Sequence, residues 1–471
     1  MGRTTAGVGL GYRGTWLALG LSLLGCGEDP GPEGPPFLID IPVERFTLDN
    51  GLEVATATNQ TSPVVDARIA FRCGSFVEGA ELNGYSHLFE HMMFQGSNEV
   101  PDPRAYHAAI DALGATSNAI TSIDQVAYFF RVVPSALEPG LKLFSHALIS
   151  PVLDPVELEK EKQVVLGEFD LDESDPDFLL YRAARHGLFG DDTPRLDPLG
   201  SRSVVEQVTR EQLQDMHARY YVPNNALLIF SGAISPLDAR QLAEDYFGEW
   251  APADDPFADD PPPIPATTDH NQYQVLSADV TGSSIEIWWP GPSLERNAAD
   301  VTAGGLLSDI TYQTDNIFRR LVSSDQIFSA GLDVSSSLEA GWIRLHVQVI
   351  AGQERAALLS VGEMLPLLSS ESAFTPAQLE KARASAFRNA LQLAIRPSSV
   401  ASALASDWSR HRSGRVLDFL SDAYAVEQPD LRRFASQYLR ASVPHVTVLM
   451  ASPEVIASQH IDEAWLQKAA P

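Results

Sequence analysis

A Pro/Asp-rich stretch at residues 251–265, APADDPFADDPPPIP, sets the first constraint on any fold for this chain. Proline fixes φ and removes a backbone donor, so such a run continues neither a helix nor a central strand. It reads as a linker, and it divides the chain beyond residue 40 into two parts of comparable size. Each part mixes both kinds of element. Residues 68–72 and 126–132 carry strand patterns. Residues 285–289 and 342–350 look like their counterparts, the last alternating as a half-buried strand should. Helical periodicity runs through residues 155–171, 237–246 and 376–394. The ends of the two parts also match. Residues 216–230 (MHARYYVPNNALLIF) and 434–450 (FASQYLRASVPHVTVLM) each suggest a helix ending at a tyrosine, a turn and a buried strand. A chain of 471 residues exceeds what one core usually covers. Two similar domains are therefore expected, at 41–250 and 267–471, with a linker at 251–266.

Apolar residues at 44% and charged residues at 20% are ordinary globular values, which excludes disorder over most of the chain. Acidic side chains number 62 against 33 basic, for a formal charge of −29. That balance excludes nucleic acid as a partner, since phosphate binding needs a basic footprint. An acidic surface keeps a protein soluble and also favours cationic peptides. With only Cys26 and Cys73 there is neither a disulfide framework nor a cysteine-rich zinc site. Arg3 and Arg13 precede a short apolar run at 16–24, too short to span a bilayer and shaped like a signal-peptide core. The run ends in Leu23-Leu24-Gly25-Cys26, which resembles a bacterial lipobox. That resemblance implies a signal peptide at 1–25, removed before an acylated Cys26, and a tether at 26–40. A cleaved secretory signal with an incidental cysteine is the plainer reading. Either makes the protein extracytoplasmic. The lipobox adds a lipid anchor to a bacterial membrane, on the periplasmic face or the cell surface, as the sole membrane attachment.

The chemistry-bearing segment is Gly84-Tyr85-Ser86-His87-Leu88-Phe89-Glu90-His91-Met92. On a helix, His87 and His91 lie one turn apart on one face, a spacing at which two imidazoles hold one Zn²⁺. Glu90 beside them can take a proton from a zinc-activated water attacking a carbonyl. H-x-x-E-H reverses the commoner H-E-x-x-H order. A hydrolytic zinc site takes three protein ligands and keeps one position for water, so a third ligand must come from elsewhere. A helix starting at Asp154-Pro155-Val156-Glu157 has an N-cap, a proline at its first position and a capping-box pattern. Glu161 and Glu168 lie on it seven residues apart, on one face; Val164, Val165 and Leu166 would seat its other side on the core. One carboxylate can bind the metal while the other orients a histidine N–H. The bare spacing also fits a solvated helix with two ordinary histidines. A structural zinc site would need a fourth protein ligand, and the sequence offers no candidate. His107, His146, His186 and His217 lack partners at ligand spacing and read as structural or surface residues. Trp288 and Trp289 read as core.

Context extends the motif. Cys73-Gly74-Ser75-Phe76-Val77-Glu78 followed by residues 84–97 (GYSHLFEHMMFQGS) resembles the pitrilysin and mitochondrial-processing-peptidase family. Residues 114–128 (GATSNAITSIDQVAY) and 161–168 (EKQVVLGE) are similar to that family's next landmarks. The resemblance covers nearly all of 41–250 and is weaker beyond. It implies an α+β fold of two similar halves, each an antiparallel-rich sheet with helices packed on one face, forming a clamshell. It implies His87, His91 and Glu168 as ligands of one Zn²⁺, Glu90 as general base and Glu161 as supporting carboxylate. The substrate would be a peptide or unfolded segment, added as a strand near Asn118 and Ala119. For those two residues, a turn before a strand is the alternative.

The second half lacks a zinc pattern: its corresponding stretch, 304–310 (GGLLSDI), has no histidine. Active members of the family place an arginine and, seven residues later, a tyrosine in this half, to bind peptide and stabilise the tetrahedral intermediate. Here those positions hold Val322 and Ser329, which cannot do that work. Arg319, Arg320 and Tyr312 are the nearby residues of suitable chemistry. In some members the work is divided between two chains. The pattern therefore suggests the zinc subunit of a heterodimer whose homologous, zinc-less partner supplies the pair, or a homodimer. The alternative is a non-catalytic peptide-binding or assembly subunit of the same fold.

Overall fold

The computed structural model describes residues 41–257, 265–322, 325–411, 418–440 and 443–470. Cys26 and the signal and tether assigned to 1–40 lie outside the described residues, as does the middle of the Pro/Asp-rich stretch. The first sheet contains β1 (Val43–Thr47), β2 (Glu53–Thr58), β3 (Val65–Phe71), β4 (Thr116–Thr121), β5 (Val126–Val132) and β6 (Ala226–Gly232), in the order β1-β2-β6-β3-β5-β4. Every pairing is antiparallel except β2 with β6. β3 and β6 are buried at every position, because both faces of the sheet are covered; β6 accordingly reads as an apolar run, while β3 buries Asp66 and Arg68 as an ion pair. β4 stands at the edge and alternates exposed and half-buried residues.

Four helices of this half matter for the site: α1 (Tyr85–Met92), α2 (Pro155–Glu173), α3 (Pro176–Phe189) and α4 (Arg210–Tyr220). α2 starts where its sequence says it should, with Asp154 accepting from the backbone N–H groups of Val156 and Glu157, and Pro155 in the first turn. α1, α2 and α4 pack on one face of the sheet. Leu88, Phe89, Val165, Phe169 and Leu213 meet Ile69, Phe71, Tyr128 and Phe230 in one core. Val165 and the half-buried Leu166 do seat α2 on that core, but Val164 does not. It is 48% exposed, because it lies on the solvent side of Glu168 rather than opposite it.

The second sheet contains β7 (Gln272–Ser277), β8 (Ser283–Pro290), β9 (Ile327–Ser336), β10 (Gly341–Val349) and β11 (Val446–Ala451), in the order β7-β11-β8-β10-β9. Only β7 with β11 is parallel. This order repeats β2-β6-β3-β5-β4, so the protein is α+β with two similar halves. Its helices α5 (Leu294–Thr311), α6 (Pro376–Ala394), α7 (Pro397–His411) and α8 (Gln428–Tyr438) follow the same succession.

The halves exchange one helix each. α7, from the second half, lays Val400, Ala401, Leu404, Ala405 and Trp408 on the outer face of the first sheet. Small residues there, Ala55, Ala57, Ala70 and Ala127, make room for it beside Leu227 and Ile229. α3, from the first half, packs Leu180, Ala184 and Leu188 on the second sheet against Trp288, Trp342, Val446 and Met450. Trp288 and Trp289 are both core, on opposite faces of β8. Among the described residues, no helix is long and apolar enough to cross a membrane.

Candidate metal centre

α1 has only eight residues, and its N-cap is Gly84, which offers no side chain to the free N–H groups of the first turn. Glu78 does that work from outside the helix. Its Oε2 accepts the N–H of Gly84 at 2.8 Å and its Oε1 that of Ser86 at 2.6 Å. Glu78 is buried, and burial pushes its carboxyl up to about 7 although these N–H groups pull the other way. Gly84 sits at φ 104°, and a Cβ on Gly200 would fall 2.3 Å from its Cα, so the chain enters α1 through a contact only glycines permit. Asn83 adds hydrogen bonds to the carbonyls of Pro194 and Asp197. Behind the helix, Phe89 stacks on His217 with ring centres 5.6 Å apart. His217 in turn pairs through Nε2 with the Leu148 carbonyl at 2.8 Å, a structural role.

This clamped helix presents His87 and His91 on one face, with ring centres 4.9 Å apart and planes near perpendicular. α2 runs alongside and brings up Glu168. His87 Nε2 lies 3.6 Å from Glu168 Oε2, and His91 Nε2 lies 3.8 Å from Glu168 Oε1. One donor atom from each of the three residues falls within 4.8 Å of the others. These separations are long for hydrogen bonds. They suit donors that share an ion: a tetrahedral zinc with ligands at about 2.0–2.1 Å spaces them roughly 3.4 Å apart. Nδ1 of His87 is buried without a hydrogen-bond partner, so the ring's usable atom is the Nε2 that faces Glu168. Burial, with His91 adding to it, lowers the His87 pKa to about 3, which keeps its lone pair free for a metal. His91 is shifted the other way, since Glu161, Glu168 and Glu90 outweigh its burial.

Glu161 supports the pair from nearly two turns earlier on α2. Its Oε2 pairs with His91 Nδ1 at 3.1 Å and its Oε1 accepts from Gln95 Nε2 at 2.9 Å. His91 therefore keeps Nε2 directed at Glu168, the arrangement by which a carboxylate fixes the tautomer of a ligating histidine. Glu90 lies beside this group. Its pKa is raised by burial, against the pull of Thr121 and His91. Thr121, the last residue of β4, donates its hydroxyl to Glu90 Oε2 at 2.5 Å. Glu78, Gln95 and Thr121 all lie in the motif segments quoted above, but the sequence assigned none of them a role. The short helix without a capping side chain is a signal that points to Glu78.

The structure brings five of the sequence's candidates together: His87, Glu90, His91, Glu161 and Glu168. Asn118 and Ala119 lie on β4, whose outer edge has no strand partner among the described residues. Asn118 is exposed and accepts the N–H of Ala119, whose side chain packs on the core. Val322 ends a short helix and packs on the second core, and Ser329 sits on β9 opposite Gln348. Tyr312 crosses to β9 and donates to Asp333 at 2.9 Å.

Compared with known families, residues 53–190 match the insulinase family (peptidase family M16), and residues 207–385 match the peptidase M16 inactive domain. An uncharacterised zinc protease of Mycobacterium leprae is 27% identical over 69% of this chain and 74% of its own length. The mitochondrial-processing peptidase subunit beta of Dictyostelium discoideum is 26% identical over 43% of each chain. Among solved structures, a protease from Helicobacter pylori superimposes with a TM-score of 0.76 over 87% of this chain and all of its own, at 20% identity. The periplasmic protease PqqL of Escherichia coli gives 0.73 at 19% identity, covering 92% of this chain but 50% of its own; its first half alone is covered to 95%.

Proposed function

The chain belongs to the M16 family of peptidases, and on that premise we propose that it is a zinc-dependent endopeptidase that cleaves peptides or unfolded segments. The observation carrying this reading is the convergence of His87, His91 and Glu168 within 4.8 Å, with the Glu90 carboxylate alongside. Those three residues would hold one zinc ion. Zinc held there lowers the pKa of a water toward neutrality and polarises the scissile carbonyl. Glu90 takes a proton from the attacking water and delivers it to the departing amine. Glu161 keeps His91 in the tautomer that offers Nε2, and Gln95 keeps Glu161 in place. The peptide adds as a strand on the open edge of β4, at Asn118 and Ala119.

With Val322 and Ser329 at the usual arginine and tyrosine positions, those two positions offer no donors for the tetrahedral intermediate. We assign those donors to a second, homologous, zinc-less chain. Support comes from the Dictyostelium relative, which is named as a subunit. Cys26 would anchor the zinc subunit to a membrane from outside the cytoplasm. The test is zinc quantification with peptide cleavage, with and without a homologous companion chain. Glu90→Gln should keep its zinc and lose ~10²–10⁴ in kcat. Equal hydrolysis by Glu90→Gln and wild type would remove the mechanism, and full speed from the chain alone would remove the partner.

A further inference from the structure

The hydroxyl that holds Glu90 belongs to an edge strand, the least restrained position in a sheet. Among the described residues β4 pairs only with β5; the turn between them, Ser122–Gln125, is closed by Ser122 N–H to the Gln125 carbonyl at 2.8 Å and is held on the first-half side by the N–H groups of Ser75 and Phe76, which donate to the carbonyls of Ser122 and Ile123. At the tip is Asp124, only 4% exposed. A carboxylate so buried needs hydrogen bonds to offset its lost hydration. Two of them come from the other half of the molecule. Oδ1 accepts the N–H of Leu338, in the turn between β9 and β10, at 3.2 Å. Oδ2 accepts Arg410 Nε, near the end of α7, at 3.0 Å. Three residues before Asp124 is Thr121, whose hydroxyl donates to Glu90 Oε2.

We propose that Asp124 and Arg410 form a latch through which the second half positions the general base, by fixing the β4–β5 turn and with it the Thr121–Glu90 hydrogen bond. Both are positioning residues, for neither touches substrate or metal ligand. The proposal rests on the peptidase reading above. It explains a use for the helix exchange: α7 covers the outer face of the first sheet with its apolar side and ends with Arg410 on the hairpin tip. When the second half is docked, the base is aligned. When it is displaced, the Asp124 carboxylate loses these two hydrogen bonds and the hairpin tip loses its hold on the second half.

The experiment uses the full zinc-loaded chain, with its companion chain if wild type requires one. Arg410→Gln should lower kcat ~10-fold with KM changed less than about twofold, as expected when a reacting group is misplaced by a fraction of an ångström. Arg410→Lys, which keeps the charge, should recover most of that loss. Thr121→Val should also lower kcat, and the Arg410→Gln/Thr121→Val double variant should be no slower than Thr121→Val, because both act through one hydrogen bond. Unchanged kcat in Arg410→Gln, or losses that multiply in the double variant, overturns the latch. Crystal structures of wild type and Arg410→Gln decide without activity: the Thr121–Glu90 bond opens in the variant if the latch holds it, and persists if not. Wild type that cleaves no peptide even with zinc and companion chain defeats the peptidase reading, and the paired structures still judge the latch.

Discussion

At the scale of single residues, the site is a set of carboxylates separated by what each one touches. Glu168 faces two imidazoles, Glu161 faces one imidazole and an amide, Glu90 faces a hydroxyl, and Glu78 faces backbone N–H groups. Glu161→Gln keeps the shape but removes the charge behind His91, so zinc affinity should fall about 10–100-fold, measured by competition with a chelator. Glu78 carries a different signature. Its carboxyl titrates near the ordinary 4.5 when unfolded and at about 7 in the fold. Between those values the folded state binds more protons than the unfolded one, so the contribution of Glu78 to stability falls as pH rises. Urea unfolding of the metal-free protein at several pH values should show that fall, and Glu78→Gln should flatten it; an unaltered slope would mean Glu78 is not the group titrating. Helical spacing set His87, Glu90 and His91 together on one helix and Glu161 and Glu168 on one face of another, and the resemblance to the peptidase family, not the spacing, supplied their roles. The sequence could not disclose Thr121, 31 residues from Glu90, whose approach depends on how β4 lies against α1.

Elements were legible where one periodicity ran long. Residues 376–394 form a helix over the same span as the pattern, and 126–132 form a strand likewise. The pattern tells which side of a helix is apolar but not which sheet receives it, so the exchange of α3 and α7 was invisible. Val164 shows the finer limit: three consecutive apolar residues on α2 cannot all face one core at 100° per residue, and the sequence does not say which one is left outside. Trp408 is the anchor of the exchange. It is 1% exposed, donates Nε1–H to Glu53 at 2.8 Å, and lies under the Arg72 guanidinium. Trp408→Ala should cost about 3–5 kcal/mol, from the cavity and the lost ring contacts. Chemical denaturation measures it, with Leu237→Ala, at an exposed position on a surface helix, expected within about 0.5 kcal/mol of wild type.

For the whole molecule, the exchange decides whether the two halves are separable. Sequence similarity between them suggests two domains that fold alone, since each has its own sheet and helices. Packing argues otherwise. Without α7, the first sheet would present Ala55, Ala57, Ala70, Ala127, Leu227 and Ile229 to water across its central strands. Without α3, the second would expose Trp288, Trp342, Val446, Val448 and Met450. A contiguous apolar face on that scale drives association, and the buried Asp124 would lose its hydrogen bonds from Leu338 and Arg410 in the same step. Residues 41–257 and 265–470 expressed separately should therefore aggregate or lack a cooperative unfolding transition, whereas co-expression should return a soluble complex that unfolds as one. A soluble 41–257 fragment with a sharp transition of its own would show that the outer face tolerates water. The second half would then be an appended module, and the base would have to be aligned from within the first. If neither fragment folds alone, the second half has a structural duty whether or not it carries catalytic residues. It would still cover the first sheet and hold the hairpin, which is reason enough for it to stay joined to the half that carries the proposed zinc ligands.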